Sequence, residues 1–275
     1  MIGYEEDIVR LALAEDIGSG DLTTSLTVDP SAEARAEITA KQNLVLAGLS
    51  PARLAFELVD PKVGFEPLAA DGDRIESGQV LVRLGGPAAS ILTAERVALN
   101  FLMRLSGVAT LTASFALALQ GYKTRVVDTR KTTPGMRVLE KAAVRAGGGI
   151  NHRFGLYDGI LIKDNHIAAA GSITAAMLRA GQGAPHTLKV EIEVEDLAGL
   201  EEAVTAGADA VLLDNMTIKQ LTEAAALAGG RVLLEASGGI TLDNAARIAA
   251  TGVDLISVGA LTHSAPAADI SLRFC

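Results

Sequence analysis

The sequence predicts an α/β protein in which a region of short strands is followed by a parallel barrel, complete or incomplete. From about residue 33 to 86, short β-like runs alternate with turn signals. After Gly121 the pattern changes to strand–helix alternation, with six compact apolar runs. Several of the helical segments end in a small residue and glycine directly before the next run, which is typical of βα units. Six such units favour a parallel barrel over two dinucleotide-binding halves.

The N-terminal region is predicted to contain two helices and several short strands. Residues 5–15 have helical spacing, and the polar stretch 16–24 is expected to form a loop. Residues 88–119 are predicted as one long helix, whose apolar surface is too broad for a single stripe and should be buried between layers or subunits. The strands predicted in this region are 36–40, 43–47, 64–68 and 79–84.

The second half supplies the predicted barrel, because each compact apolar run is followed by a segment of helical spacing. The predicted strands are 125–128, 159–164, 188–194, 210–214, 231–237 and 255–259. The predicted helices are 136–146, 172–181, 196–206, 217–228 and 241–251.

Composition and charge argue against several classes of protein. With a net charge of −9, 3% aromatic residues and no Trp, the chain is poorly suited to bind nucleic acid. The single cysteine, Cys275, excludes an internal disulfide framework and a thiolate metal cluster. The N terminus lacks a secretory pattern, and no uninterrupted apolar run approaches the ~18 residues of a membrane span. We therefore expect a cytoplasmic protein that does not bind a membrane.

Cations concentrate in one part of this acidic chain. Residues 123–166 contain nine Lys or Arg against four Asp or Glu, a local charge of +5. Any one of Arg130, Lys131, Arg153 and Lys163 could be a solvated surface charge. Four of them at strand ends or in a glycine-flanked loop favour recognition of an anionic small molecule, since Arg and Lys match carboxylate and phosphate groups.

Most polar outliers come at the C-terminal ends of predicted strands. In a parallel barrel all these ends open on one face, and ligands bind there. The outliers, in strand order, are Arg130 and Lys131, residues 163–166, Glu191 and Glu193, Asp214 and Asn215, Ser237 to Gly239, and Gly259 with Ala260.

Two glycine-containing turns, 236–240 and 257–261, follow the last two predicted strands. Glycine lets backbone N–H groups approach an anion closely, and the N terminus of a following helix favours negative charge. A lone turn of this kind is better explained as a tight βα connection. Two in succession favour phosphate binding.

Glu193 and Asp214 are carboxylates in otherwise apolar strands. Burial without a partner would be costly, so each should meet a cation, a metal or a sugar hydroxyl, or form a salt bridge to a neighbouring lysine. With Mg²⁺, which prefers a few carboxylates plus phosphate oxygens, they would form a site for a phosphate ester. Glu191 lies on the same strand face as Glu193, so parity does not choose between them.

The histidines are too scattered in the sequence to predict a metal triad. His152, His166 and His263 are each compatible with a structural hydrogen bond. Only His152, beside Arg153 in GGGINHR, suggests a contact with a substrate.

Taken together, the motifs of this chain resemble those of the quinolinate phosphoribosyltransferase family along essentially its whole length. The motifs, in the family's order, are EDIGSGDLTT, ERVALNFLMRLSG, DTRKTTPGMRVLEKAAVRAGGGINHRFGLYDGILIKDNH, VEIEVE, LLDNM, EASGGI and SVGALTHS.

The resemblance implies an N-terminal α/β sandwich, residues 1–110, and an incomplete, open α/β barrel of about six or seven parallel strands, residues 111–265. The tail 266–275 would pack back on the sandwich. It also implies the transfer of phosphoribosyl from phosphoribosyl pyrophosphate to quinolinate with decarboxylation, a step of NAD biosynthesis. Mg²⁺ would be required, and a homodimer would share its active sites across the interface.

The resemblance further implies a role for each site residue. Lys131, Lys163, Glu193 and Asp214 would be the catalytic set, with Glu193 and Asp214 holding the ribose hydroxyls and Mg²⁺, largely through substrate and water. The quinolinate carboxylates would meet Arg130, His152, Arg153 and Lys163, while Lys131 would contact phosphoribosyl pyrophosphate and Arg104 would reach into the partner's site. The 5′-phosphate would be held by Ser237, Gly238, Gly239, Gly259 and Ala260, with His263 nearby, and Thr129 and Val258 complete the substrate-binding set.

Three alternatives remain open from the sequence. The molybdenum-transport-associated relatives resemble the chain in its TRK and GGG..HR segments, but they lack a lysine where this chain has Lys163. A Schiff-base lyase could use the same lysine on a barrel. A non-catalytic phosphate-binding barrel is the third alternative.

Overall fold

The computed structural model describes residues 2–275, which form two compact units. The first unit comprises residues 2–113, 132–148 and 261–275, and the second comprises Ser114–Lys131 and Gly149–Ala260. The helices are α1 (Ile2–Ile17), α2 (Leu22–Thr27), α3 (Leu49–Val59), α4 (Ala88–Ala118), α5 (Arg137–Ala146), α6 (Asp164–Ala170), α7 (Ile173–Gly183), α8 (Leu197–Thr205), α9 (Ile218–Ala228), α10 (Leu242–Ala249) and α11 (Ala260–His263).

The first unit contains an antiparallel sheet of four strands in the order β12-β1-β5-β3, and a separate pair of β2 with β4. Alternate residues of β1, such as Ala36, Ile38 and Ala40, are buried, which is the period of a sheet with one covered face. The strands of this unit are β1 (Glu33–Ala40), β2 (Leu44–Val45), β3 (Gly64–Pro67), β4 (Arg74–Ile75), β5 (Val80–Pro87) and β12 (Ile270–Phe274).

Two helices of the first unit differ from the sequence prediction. The predicted loop 16–24 is wrong at its end, because α2 begins at Leu22 and the Asp21 side chain caps it by accepting from the Thr24 N–H at 2.9 Å. Helix α3 lies within the region predicted as strands. The buried residues of α3 have the spacing of one helical face. The apolar segment is short and lies between turn signals, so the sequence pattern does not distinguish this helix from the neighbouring strands.

Helix α4 matches the long helix predicted at 88–119. By length and composition alone this helix could cross a membrane. Half of its most apolar window is buried inside the structure, as in the core helix of a soluble protein, so its composition is only weak evidence for a membrane span. Leu99, Leu102 and Leu105 are almost completely buried. The predicted burial of this helix is therefore confirmed.

The second unit contains six parallel strands in the order β6-β11-β10-β9-β8-β7. Because β6 and β7 are the two edge strands, the barrel is open between them. An isolated parallel bridge joins Val127, at the end of β6, to Ile150. The strands are β6 (Arg125–Val127), β7 (Ile160–Ile162), β8 (Val190–Val194), β9 (Ala210–Asp214), β10 (Leu233–Ser237) and β11 (Leu255–Ser257).

The predicted fold class is confirmed: an antiparallel sheet region at the N terminus is followed by a six-stranded parallel sheet. Each of the six predicted strands and five predicted helices of the second half appears, with ends shifted by at most a few residues. The strand β12 pairs with β1, with Ala36 opposite Phe274. The domain limits given by the resemblance stay a prediction.

Candidate active site

A cavity of about 290 Å³ lies at the C-terminal ends of the parallel strands in the second unit. Nine of the sequence-predicted site residues line it, since the strand ends bring together side chains that are far apart in the sequence. The lining residues are Thr129, Arg130, Lys131, His152, Arg153, Leu161, Lys163, Glu193, Leu212, Asp214, Glu235, Ser237 and Ser257.

One side of the cavity is strongly cationic because of Arg130 and Arg153. Burial, and then the neighbouring Arg130 guanidinium, lower the pKa of Arg153. Arg153 donates from Nη1 to the Gly159 carbonyl oxygen at 2.9 Å, but its buried Nε has no hydrogen-bond partner in the structure of residues 2–275. The two guanidinium groups repel one another, and one buried donor of Arg153 lacks an acceptor. A bound anion would relieve the repulsion and supply the acceptor, so this side of the cavity is suited to an anion.

The imidazole of His152 is held in one tautomer. Its Nδ1 accepts from the Arg153 backbone N–H at 2.7 Å, so the hydrogen lies on Nε2. Nε2 faces Glu191 Oε2 at 3.0 Å, and the His152 backbone N–H donates to Asp128 Oδ1 at 2.8 Å. His152 is thus oriented by two acidic residues, while its predicted contact with substrate stays a prediction.

Lys163 and Glu193 form an ion pair across the ends of β7 and β8. Both side chains line the cavity. The backbone N–H of Lys163 donates to His166 Nδ1 at 3.0 Å, so that His166 caps the start of α6. The structural hydrogen bond predicted as one possibility for His166 is therefore present.

The ends of β9 and β10 are joined at Asn215. The Asn215 backbone N–H donates to the Ser237 carbonyl oxygen at 2.9 Å, and Asn215 Nδ2 donates to Asp214 Oδ2 at 2.7 Å. Asn215 has a positive φ of 54°, and Gly238 has a φ of 95°. A Cβ at Gly238 would collide with the Asn215 side chain, so this turn requires glycine for both conformation and space. Such strained backbone is common at functional sites.

At the end of β11, Ser257 lines the cavity and is followed by the turn predicted to bind phosphate. The Val258 N–H donates to the Val127 carbonyl oxygen at 3.0 Å and is used within the sheet. Gly259 and Ala260 follow directly, and Gly239, with φ 58°, has open space where a side chain would begin. The predicted phosphate contacts of these residues stay predictions.

Arg104 and His263 belong to the first unit, and their predicted roles in the site stay predictions. Within that unit Arg104 forms a 2.6 Å ion pair with Glu140, whose side chain is completely buried. Arg104 also donates to the carbonyl oxygens of Thr262 and, at 3.0 Å, Ala265. His263 is exposed and its Nδ1 lies 2.6 Å from Ser264 Oγ.

Glu235 is a cavity residue that the sequence analysis missed. Burial, then the charge of Glu191, raise its pKa to about 7, and the charge of His152 opposes this rise. The ligand atoms of His152, Glu191 and Glu235 lie within 4.8 Å of one another, a group able to hold a cation. The signal that identified Glu193 and Asp214, a carboxylate in an apolar strand, was equally present in RVLLEAS.

Comparison with known proteins agrees with this site. The model of the C-terminal domain of quinolinate phosphoribosyl transferase matches residues 108–273, and that of the N-terminal domain matches residues 21–106. A probable nicotinate-nucleotide pyrophosphorylase (carboxylating) of Bacillus subtilis is 49% identical over 259 residues, covering 94% of this chain and 89% of the relative. The Mycobacterium leprae nicotinate-nucleotide pyrophosphorylase (carboxylating) is 43% identical, with 97% and 95% covered.

The fold is also shared with a solved structure. The nicotinate-nucleotide pyrophosphorylase from Francisella tularensis superposes with a TM-score of 0.96 at 41% identity, over 99% of this chain and 96% of that one. The two family matches together span nearly the whole chain, and the relatives agree with them over the same length. The chain therefore belongs to the quinolinate phosphoribosyltransferase family, and the resemblance seen in the sequence is confirmed.

Proposed function

We propose that this protein transfers phosphoribosyl from phosphoribosyl pyrophosphate to quinolinate and releases pyrophosphate, CO₂ and nicotinate mononucleotide, a step of NAD biosynthesis. The observation that carries the proposal is the cavity itself. The cavity combines two guanidinium groups and Lys163 with two carboxylates, Glu193 and Asp214. The chain that forms it belongs to the quinolinate phosphoribosyltransferase family. A doubly negative acceptor and a polyanionic donor need such a division of charge.

The acceptor is proposed to bind at the cationic side. Arg130 and Arg153 would share one carboxylate of quinolinate, and Lys163 would meet the other. The unsatisfied Nε of Arg153 supports this assignment, because a bound carboxylate would supply the missing acceptor. His152, already held by Glu191, would complete this side of the cavity.

The donor is proposed to bind at the ends of β9, β10 and β11. Lys131 and Thr129 would face the pyrophosphate, while the Ser237–Gly239 turn and residues 258–260 would receive the 5′-phosphate. Glu193 and Asp214 would hold the ribose hydroxyls. These two carboxylates also fit Mg²⁺, whose usual ligands are a few carboxylate oxygens with water and phosphate; the ion would supply neutralisation of charge on the pyrophosphate.

The proposed chemistry needs no side-chain nucleophile. The bond between ribose C1 and pyrophosphate breaks, and the quinolinate ring nitrogen donates its electron pair to C1, beside the carboxylates that stabilise positive charge. The alkylated ring can then lose its 2-carboxylate as CO₂, because the electron pair left on C2 lies beside a positive nitrogen, and C2 takes up a proton. A Schiff-base lyase is disfavoured, since the Lys163 amine is engaged in an ion pair with Glu193 and is not free to attack a carbonyl carbon.

A homodimer with a shared site is part of the proposal. Arg104 of one chain would act in the partner's cavity. Mixing Arg104→Lys chains with Lys163→Ala chains should then restore activity in heterodimers, whereas no gain after confirmed mixing would argue for a site built within one chain. The proposed compartment is the cytoplasm, although one tobacco relative is named as mitochondrial and a rice relative as chloroplastic.

The direct test is incubation with quinolinate, phosphoribosyl pyrophosphate and Mg²⁺. We expect equal amounts of CO₂ and nicotinate mononucleotide, with activity lost in Lys131→Met. Lys219→Met is the matched control, because the side chain of Lys219 is 86% exposed on α9. A folded enzyme that forms neither product would contradict the proposal.

A further inference from the structure

Glu235 is the most deeply buried acidic group of the cavity. It lies on β10, its residue is 1% exposed, and Leu212 of β9 is its uncharged neighbour in the sheet. Its Oε1 has no hydrogen-bond partner in the structure of residues 2–275. A buried carboxylate with an unsatisfied oxygen is costly, whereas a neutral carboxyl group carries its own donor and is much cheaper to bury.

The nearest charged groups favour the neutral form. Glu191 and Asp128 raise the pKa of Glu235, after burial itself, while His152 and a hydrogen bond from Ser257 lower it. Because the Nε2–H of His152 is directed at Glu191, it cannot at the same time offer that nitrogen to a metal ion. The group of His152, Glu191 and Glu235 is therefore better suited to hold a proton than a cation.

The wider surroundings are nearly balanced in charge. The charged and titratable groups facing Glu235 or sharing its cavity are Asp128, Arg130 and Lys131 after β6, His152 and Arg153 before β7, Lys163 after β7, Glu191 and Glu193 of β8, and Asp214 of β9. On β11 the hydroxyl of Ser257 hydrogen-bonds to Glu235, and Leu255 is its uncharged neighbour in the sheet. Two further negative charges from a ligand would make a charged Glu235 still less favourable.

We propose that Glu235 is a proton-binding residue of the acceptor site, whose carboxyl group takes up a proton when a dicarboxylate dianion enters the cavity. The inference rests on the proposed function for the identity of the dianion, quinolinate. The neutral carboxyl group can donate a hydrogen bond to the ligand or to Glu191, as the ionised form cannot.

The structure also gives the proton a route from solvent. A second cavity, of about 490 Å³, is lined by the N-terminal parts of the strands, including Ala210, Leu233 and Leu255. Glu235, His152 and Arg153 line both cavities. The second cavity is therefore the proposed route by which Glu235 receives its proton while the first is filled by substrate.

The expected linkage follows from the sign of the shift. Because the pKa of Glu235 is about 7 without ligand and the dianion raises it, binding takes up part of a proton per site near pH 7, and the uptake disappears well below pH 7, where Glu235 is already protonated. The Kd of quinolinate should weaken as the pH rises above about 7, by at most tenfold per pH unit, since the proton must be supplied at greater cost as the pH rises.

The test is calorimetric titration of the full-length enzyme with quinolinate in two buffers that differ in ionisation enthalpy. We expect proton uptake in the wild type and in Glu201→Gln, an exposed carboxylate on α8 that serves as the control. Glu235→Gln is neutral at every pH, so it should lose the uptake and flatten the dependence of Kd on pH relative to the wild type.

Infrared spectra of the ligand-free enzyme give an independent readout. A protonated carboxyl band that titrates near pH 7 and is absent from Glu235→Gln supports the inference. If Glu235→Gln does not fold, the same band can be compared between the wild type and Glu235→Asp. Quinolinate binding without proton uptake, or equal uptake in Glu235→Gln, overturns this inference alone. Failure of the folded wild type to bind quinolinate overturns the proposed function as well.

Discussion

Removal of Arg104 should destabilise the protein strongly, because it leaves a charged group buried. Glu140 is 0% exposed and accepts from Arg104 Nη2 at 2.6 Å and Nε at 3.1 Å. Its other donors are the Thr133 N–H at 3.0 Å and Oγ1 at 2.8 Å. Arg104→Ala removes the guanidinium countercharge of Glu140 and leaves the two Thr133 donors.

The magnitude follows from the burial of the pair. Breaking a buried ion pair from one side costs about 3–5 kcal/mol, and the two Thr133 donors that remain favour the lower end of that range. For a chain of this size a loss of about 3 kcal/mol lowers Tm by roughly 6–12 °C. Replacing both partners, in Arg104→Met with Glu140→Gln, should recover much of the loss because no buried charge remains.

Thermal unfolding at one fixed protein concentration measures the effect. Arg83→Ala is the matched control, since it breaks an exposed pair with Glu37 at 3.3 Å and should cost less than about 1 kcal/mol. If Arg104→Ala melts within about 2 °C of the wild type, or if the double variant is no more stable than the single one, the structural role assigned to this arginine is wrong.

Three further changes test other parts of the structure. Gly238→Ala should destabilise the enzyme by about 1–3 kcal/mol and weaken phosphoribosyl pyrophosphate binding, and Gly239→Ala, which meets open space, should cost less in the same denaturation assay. Side-chain and backbone hydrogen bonds from Thr24 lower the pKa of Asp21, so the cap on α2 is present above the ordinary carboxyl pKa and lost as the pH falls through the lowered value. The protection of the α2 amides from hydrogen exchange, relative to the intrinsic rate at each pH, should fall at low pH in the wild type and stay independent of pH in Asp21→Ala. Lys163→Ala should raise the KM of quinolinate about 10- to 100-fold with little change for phosphoribosyl pyrophosphate, and equal losses would contradict the assignment.

The second half of the fold could be predicted because its strands are continuous apolar runs and its helices end in glycine. The N-terminal half was harder. Helix α3 is short and bounded by turn residues, so its apolar residues fit a strand as well as a helix. The capping of α2 by Asp21 depends on one side-chain contact, which the polar composition of the segment conceals.

The sequence identified site residues only where they lie at or just after the ends of predicted strands. Arg130, Lys163, Glu193 and Asp214 follow or end strands, and the cavity contains all four. Parity could not separate Glu191 from Glu193. The structure separates them by their partners, since Glu191 faces His152 and Glu193 faces Lys163. Such pairings join distant strands and leave no pattern in the sequence.

The strand orders have a consequence for synthesis of the protein. In the parallel sheet the first strand, β6, pairs with the last, β11, and in the antiparallel sheet β1 pairs with β12, the final strand of the chain. The first ladder cannot form until residues 255–257 have left the ribosome, and the second cannot form until residues 270–274 have done so. Both sheets should therefore wait in partly formed states with exposed edges, and the nascent chain should depend on chaperones more than its native stability suggests.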